Sequence, residues 1–128
     1  KDIDTTQEVG KAYVYSRNGS VWTEQAKLTA SDAGEYDRFG QHVAIDNDTI
    51  IVGARDDDDA GPSSGSAYVF LKSESVWIEQ IKLTASDADM KDRFGFSVAL
   101  SDNTAVVGAH FNDDAGESSG SVYIYELP

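Results

Sequence analysis

The stretch FGQHVAIDNDTIIVGA at residues 39–54 recurs as FGFSVALSDNTAVVGA at residues 94–109. The repetition covers a whole unit, because residues 10–64 align with residues 65–119 and 32 of the 55 aligned positions are identical. We call aligned positions equivalent. Self-similarity at a fixed period is typical of proteins built from one repeated supersecondary unit. The chain therefore divides into an N-terminal extension (1–9), repeat 1 (10–64), repeat 2 (65–119) and the first strand of a third repeat (120–128).

Each unit contains four short apolar runs that are rich in β-branched and aromatic residues and bounded by Gly, Asp, Asn and Ser, which is the pattern of strands and turns. The runs are FGQHVAI (39–45), TIIVGA (49–54), SAYVFL (66–71) and SVWIEQIKL (75–83). No stretch combines a helical period with caps. The second and third runs are apolar at consecutive positions, which predicts strands covered on both faces. The fourth run has interleaved polar residues and is expected at a solvated edge.

These patterns predict an all-β fold of tandem four-stranded antiparallel β-propeller blades, with no helices, made from two 55-residue repeats and an extra strand. Two blades alone leave two apolar faces bare, and the final blade lacks its fourth strand. We therefore expect the chain to be an excerpt of a longer propeller, or a subunit that copies of itself complete by strand exchange into a ring or filament.

The succession FG-x-x-VA, a short turn, VGA, an acidic Gly/Ser loop and GS-x-Y-V-F/Y resembles the FG-GAP repeats of integrin α-subunit propellers and of bacterial surface proteins. The resemblance extends from Gly10 to Tyr125 and recurs in both copies. It implies a β-propeller and a role in adhesion or ligand binding, outside the cell or at its surface. Because one propeller scaffold hosts many activities, the particular function does not follow from the fold.

The chain has a formal net charge of -13 and a pI near 4.2. Nucleic acids and anionic membranes are poor partners for such a chain, because binding to phosphate requires Lys and Arg. Cations and basic protein surfaces are the expected partners. The sequence has no cysteine, which excludes disulfides and thiolate chemistry. No window approaches the roughly 18 apolar residues of a membrane span.

Antiparallel strands alternate in direction, so the acidic loop 55–64 should lie at the same end of the sheets as the connection 29–38. The second copy places 110–119 beside 84–93. Integrin-type relatives carry a D-x-D-x-D-G calcium loop between the first two strands, but here that turn is too short to surround a cation. This leaves the acidic loops as the substitute candidate for a Ca²⁺ site. The candidate metal ligands are Asp58, Asp59, Asp113 and Asp114, supported by Asp37 and Asp92.

A second interpretation of the same loops needs no metal. Asp37-Arg38 and Asp92-Arg93 both precede an inner strand, and each arginine could neutralise the acidic loop through a charge-assisted pair. Asp32 and Asp87 would then cap turns. The sequence leaves the metal and the ion-pair interpretations open.

Catalysis has little support in the sequence. His42 and His110 align with Ser97 and Arg55 in the other copy, and the local signatures of common catalytic classes are missing. The prediction is therefore a non-enzymatic extracellular or cell-surface module for adhesion or protein interaction, stabilised by Ca²⁺. The alternatives are a self-assembling structural subunit and a carbohydrate-binding propeller.

Two further features have alternative interpretations. Trp22 and Trp77 occupy equivalent positions, where packing between blades competes with stacking on a sugar ring. Asn18 and Asn47 match the pattern of N-glycosylation, although neither match is kept in the second copy.

Overall fold

The structure, a computed structural model, describes residues 10–32, 34, 37–57, 62–109 and 120–128. Within these ranges the fold is all-β, without helices, and consists of three antiparallel sheets. The strands are β1 (Ala12–Asn18), β2 (Val21–Leu28), β3 (His42–Asp46), β4 (Thr49–Ala54), β5 (Ser66–Ser73), β6 (Val76–Leu83), β7 (Phe94–Ser101), β8 (Thr104–Ala109) and β9 (Ser121–Glu126). None of the described residues forms a helix of the length and hydropathy that crossing a bilayer requires.

The first sheet contains β1 and β2, the second β3 to β6, and the third β7 to β9, and in each sheet the strands follow one another in chain order. The second sheet therefore reproduces the four runs predicted from the sequence. The largest difference in boundaries is at the first run, because β3 begins at His42 and not at Phe39. The other bounds of the four runs differ from the strands by at most two residues. Gly40 has a φ of 96° and its N–H donates to the carbonyl of Gly53, so the chain turns before the strand starts.

Two apolar cores hold the sheets together, one on each side of the second sheet. Along β4 and β5, alternate side chains enter opposite cores, and all residues at 50–54 and 66–70 are buried. Ile51 and Val69 pack toward the third sheet, whereas Val52 and Tyr68 pack toward the first. The expectation that these apolar runs are covered on both faces is confirmed for the second sheet.

In the first and third sheets, the strands equivalent to β5 are β1 and β9. Each of them is covered on one face only. Val14 in β1 packs against a core, while its neighbours Tyr13 and Tyr15 are exposed. In β9, Val122 and Ile124 are exposed. The described chain thus has two open apolar sheet faces, as expected from the sequence.

Glycines allow the sheets to approach closely enough for these cores to form. Gly95 has a φ of 91°, and a Cβ at this position would overlap the carbonyl oxygen of Ser66. A Cβ on Gly53 would overlap the carbonyl oxygen of Gly95. The backbones of the second and third sheets are therefore in direct contact. The same relation holds at the other junction, where Gly40 meets the backbone of Lys11.

Candidate functional site

Loops and connections converge at one end of the second and third sheets, which we call the loop end. It comprises the described parts of residues 29–38, 55–64 and 84–93. The N–H of Asp56 donates to the carbonyl of Asp37 at 3.3 Å, and that of Lys91 donates to the carbonyl of Pro62 at 2.8 Å. The first bond confirms that residues 55–64 lie beside residues 29–38, and the second places residues 84–93 beside the same loop. The predicted place of residues 110–119 lies outside the described residues.

Asp37 and Asp92 have the same role in the two copies. Asp37 accepts a hydrogen bond from the N–H of Gly34 at 2.8 Å, and Asp92 accepts one from the N–H of Asp89 at 3.0 Å. Both side chains are buried, with exposures of 5% and 2%. Each carboxylate therefore closes the turn that leads into an inner strand, and a metal is not needed to explain its burial.

Three arginines surround one carboxylate in the loop after β4. The Nε atoms of Arg38, Arg55 and Arg93 lie 3.4, 3.8 and 3.6 Å from the carboxylate of Asp56. Arg38 and Arg93 precede the inner strands of the second and third sheets, so the cluster links the two sheets. The predicted neutralisation of the acidic loop by these two arginines is confirmed at Asp56.

A second polar network lies beside this cluster and connects the loop end to the core. The hydroxyl of Tyr68 in β5 lies 2.7 Å from the carboxylate of Asp32 and 3.0 Å from that of Asp57. Lys82 in β6 donates to the same two carboxylates at 2.6 and 3.2 Å. Because Asp57 is only 1% exposed, the lysine and the hydroxyl offset the cost of burying its charge.

The network also alters the acidity of the tyrosine. Burial is the largest cause that raises the pKa of Tyr68 far above its ordinary value, followed by the hydrogen bond to Asp32 and the negative charges of Asp57 and Asp32. The Tyr68 hydroxyl therefore stays protonated and acts as a hydrogen-bond donor. This arrangement suits a structural role better than proton transfer near neutral pH.

The second copy keeps part of the network. The hydroxyl of Tyr123 in β9 donates to Asp87 at 2.6 Å, as that of Tyr68 does to Asp32. The sequence predicted that Asp32 and Asp87 cap turns, and this stays a prediction. The structure shows that Asp32 accepts a hydrogen bond from Tyr68 in β5 and Asp87 accepts one from Tyr123 in β9. The signal was present in the sequence, since Tyr68 and Tyr123 are separated by the same interval as Asp32 and Asp87.

The remaining metal candidates, Asp58, Asp59, Asp113 and Asp114, lie outside the described residues. Within the described ranges, no three His, Asp or Glu side chains are grouped in a way that could hold a metal ion. Calcium binding by the acidic loops stays a prediction.

Several other candidates can be placed. His42 is exposed, and its ring lies 5.7 Å from that of Phe96, while His110 is outside the described residues. Trp77 packs against a core, which supports the packing interpretation. Trp22 is 64% exposed and lies under the guanidinium of Arg17 at 5.7 Å. Carbohydrate binding at Trp22 and glycosylation at Asn18 or Asn47 stay predictions.

The repeated antiparallel sheets, joined face to face through glycine contacts and linked by charged loops at one end, define a repeat protein of stacked β-sheets. A family profile described as "FG-GAP repeat" matches residues 22–70 and 77–125. The two matches cover most of the chain and are offset by the period of the internal repeat. The chain belongs to the FG-GAP repeat family. A comparison with curated proteins gives no match.

Proposed function

We propose that the chain is a non-enzymatic extracellular module for adhesion or protein interaction, built from β-propeller blades, with its ligand surface at the loop end. The observation that carries the proposal is the convergence there of segments from two sheets, held in place by the Asp56 arginine cluster and the Tyr68 network. Membership of the FG-GAP family supports an interaction role.

The loop end offers the features of a protein contact. Met90 is exposed at its tip, between the exposed side chains of Asp89 and Lys91. An exposed methionine surrounded by charged residues resembles the apolar centre and polar rim of a protein interface. The net charge of -13 favours a ligand that presents a basic surface.

Calcium stabilisation is the second part of the proposal. Asp58, Asp59, Asp113 and Asp114 supply closely spaced carboxylates of the kind that Ca²⁺ prefers. The described network neutralises Asp56 and Asp57 with arginines and a lysine. We therefore assign the cation to the other four aspartates of the loops 55–64 and 110–119. Binding there would reduce the repulsion between the loops.

An adhesion assay tests both parts. Surfaces coated with the chain should retain mammalian or bacterial cells above an albumin-coated control in Ca²⁺, and lose most of them in excess chelator. The double variant Asp58→Asn/Asp113→Asn should abolish adhesion and the rise in thermal midpoint that Ca²⁺ produces. The matched variant Asp48→Asn/Asp102→Asn removes the same charge from turns at the opposite end and should behave like the parent chain.

The outcomes separate the two parts of the proposal. Adhesion that is indifferent to chelator and to both double variants would keep the interaction and contradict the calcium site. Retention of cells no greater than on albumin, in Ca²⁺ and in chelator, would contradict the adhesive role.

A further inference from the structure

The ammonium group of Lys82 lies against a carboxylate that is shielded from solvent. Its Nζ is 3.2 Å from Oδ2 of Asp57 and 2.6 Å from Oδ2 of Asp32. The side chain of Asp57 is 2% exposed, that of Lys82 is 20% exposed and that of Asp32 is 41% exposed. The structure therefore holds a nitrogen, a buried carboxyl carbon and a second, more accessible carboxylate together at one place.

This group differs in its chemistry from the neighbouring Asp56 cluster. There the cations are the guanidiniums of Arg38, Arg55 and Arg93, which keep their protons in proteins and are not nucleophiles. A lysine amine becomes a nucleophile once it has given up one proton. The pair of Lys82 and Asp57 can consequently react in a way that an arginine–aspartate pair cannot.

We propose that Lys82 and Asp57 condense to an amide, which crosslinks β6 to the loop after β4. The bond between Nζ and Cγ forms, and one bond between Cγ and oxygen breaks. The ammonium nitrogen gives up two protons, and both leave with the departing oxygen as one water molecule. One positive and one negative charge disappear together, so the step balances without an oxidant or any other reactant.

The groups around the pair fit the steps of this condensation. Asp32 accepts a hydrogen bond from the attacking nitrogen at 2.6 Å, so it is placed to take a proton from the amine and to return it to the departing oxygen. The hydroxyl of Tyr68 lies 3.0 Å from Oδ2 of Asp57 and stays protonated. It can therefore donate to Oδ2 while negative charge develops there, and it keeps this partner when Oδ2 has become the amide oxygen.

Burial favours the amide over the ion pair. Two opposite charges withdrawn from water retain a large desolvation cost even when they are paired, and a neutral amide removes that cost. The carboxylate of Asp32 is partly solvated, so Asp57 is the expected acceptor and Asp32 the base. Proximity supplies the rate, because groups held in reactive geometry at about 3–3.5 Å behave as if they were at very high concentration.

The crosslink would join strands that are not neighbours. β4 pairs with β5, and β5 pairs with β6, so a bond from Lys82 to Asp57 closes a covalent ring that contains β5 and most of β6. The edge strand would then stay attached to the sheet when its hydrogen bonds to β5 break. In a chain without cysteine, such a bond takes the place of a disulfide. The inference is independent of what the loop end binds.

Mass spectrometry of the denatured chain tests the bond directly. The parent chain should be lighter than its sequence by one water molecule. Trypsin cleaves after unmodified Lys and Arg, so the crosslink should block cleavage after Lys82 and give one branched peptide that joins residues 56–72 to residues 73–91. In Asp57→Asn the same condensation releases ammonia, so the missing mass should change from water to ammonia.

Substitutions separate the crosslink from the ion pair. Lys82→Arg keeps the positive charge but lacks the nucleophilic amine, so it should have the full mass of its sequence. Lys72→Arg is the matched control, since Lys72 is exposed in β5, and it should keep the mass deficit. Asp32→Asn removes the base and should slow formation of the bond about 100-fold. Circular dichroism verifies that each variant is folded.

The full sequence mass in the folded parent chain, even after prolonged incubation, would overturn the inference. A deficit of one water that persists in Lys82→Arg would overturn it as well, because the water would then come from another site, such as a succinimide. A branch on residues 28–38 in place of residues 56–72 would contradict Asp57 as the acceptor. An unchanged rate in Asp32→Asn would contradict Asp32 as the base.

Discussion

A single hydroxyl connects the core of the second sheet to its charged loops. Tyr68 is fully buried, forms an edge contact with Phe39 at 5.4 Å, and meets Asp32 and Asp57 through its oxygen. Removal of that oxygen takes one hydrogen-bond donor away from the buried carboxylate of Asp57. A buried carboxylate that loses a hydrogen bond costs more than the bond itself contributes, because the group is not returned to water.

We therefore predict that Tyr68→Phe lowers the free energy of unfolding by about 1–3 kcal/mol at neutral pH. Tyr15→Phe is the control, since Tyr15 is exposed and its equivalent in the second repeat is already Phe70; its effect should be within about 0.5 kcal/mol. Urea denaturation followed by circular dichroism measures both. Equal stability of the two variants would show that the Tyr68 hydrogen bonds contribute nothing net.

The same residue predicts an alkaline limit to stability. The pKa of Tyr68 is higher in the folded chain than in the unfolded chain, so the unfolded chain loses this proton first as the pH rises. Its contribution is complete below pH ~10 and declines above it by about 1.4 kcal/mol per pH unit. Unfolding midpoints between about pH 9 and 11.5 should fall less steeply in Tyr68→Phe than in the parent chain.

At the level of strands and sheets, the decisive contacts are between backbones. Gly95 of β7 touches Ser66 of β5 and Gly53 of β4 through main-chain atoms, at a φ that side chains rarely adopt. The FG and VGA motifs thus mark places where one sheet lies directly on the next. Any side chain at these positions must separate the sheets.

Gly95→Ala should accordingly destabilise the chain by about 3 kcal/mol, because backbone strain and the clash with Ser66 act together. Gly19→Ala is the matched substitution: Gly19 has a φ of 63° but open space around it, so only the backbone cost of about 1 kcal/mol applies. Thermal unfolding of the two variants provides the comparison. Similar losses for both would mean that the sheets move apart without penalty.

The strands were predictable because periodicity and turn residues are local, and the internal repeat gives each prediction a second instance. β4 and β8 match their predicted runs at both ends. The Tyr68 network was not predicted, because Lys82 and Asp32 are far apart in the sequence and Asp57 is replaced by Asn112 in the second copy. The aspartates that recur in both copies are those after Asp57, so the internal repeat gave no signal for Asp57 itself.

At the scale of the whole molecule, the exposed aromatic residues are explained by position in the repeat. Trp22 is equivalent to Trp77, which packs against the core in front of the second sheet. The first sheet has no described sheet in front of it, so Trp22 remains exposed.

The two junctions of this chain use the same residue types at equivalent positions, and this has a consequence for its gene. A duplication of one repeat's coding sequence inserts one face that packs on the preceding sheet together with one face that packs on the following sheet. This holds wherever the breakpoints fall within the repeat. Unequal recombination between the repeats can therefore lengthen or shorten the coding sequence without creating an unmatched contact. Selection can vary the number of units while every boundary between them stays the same.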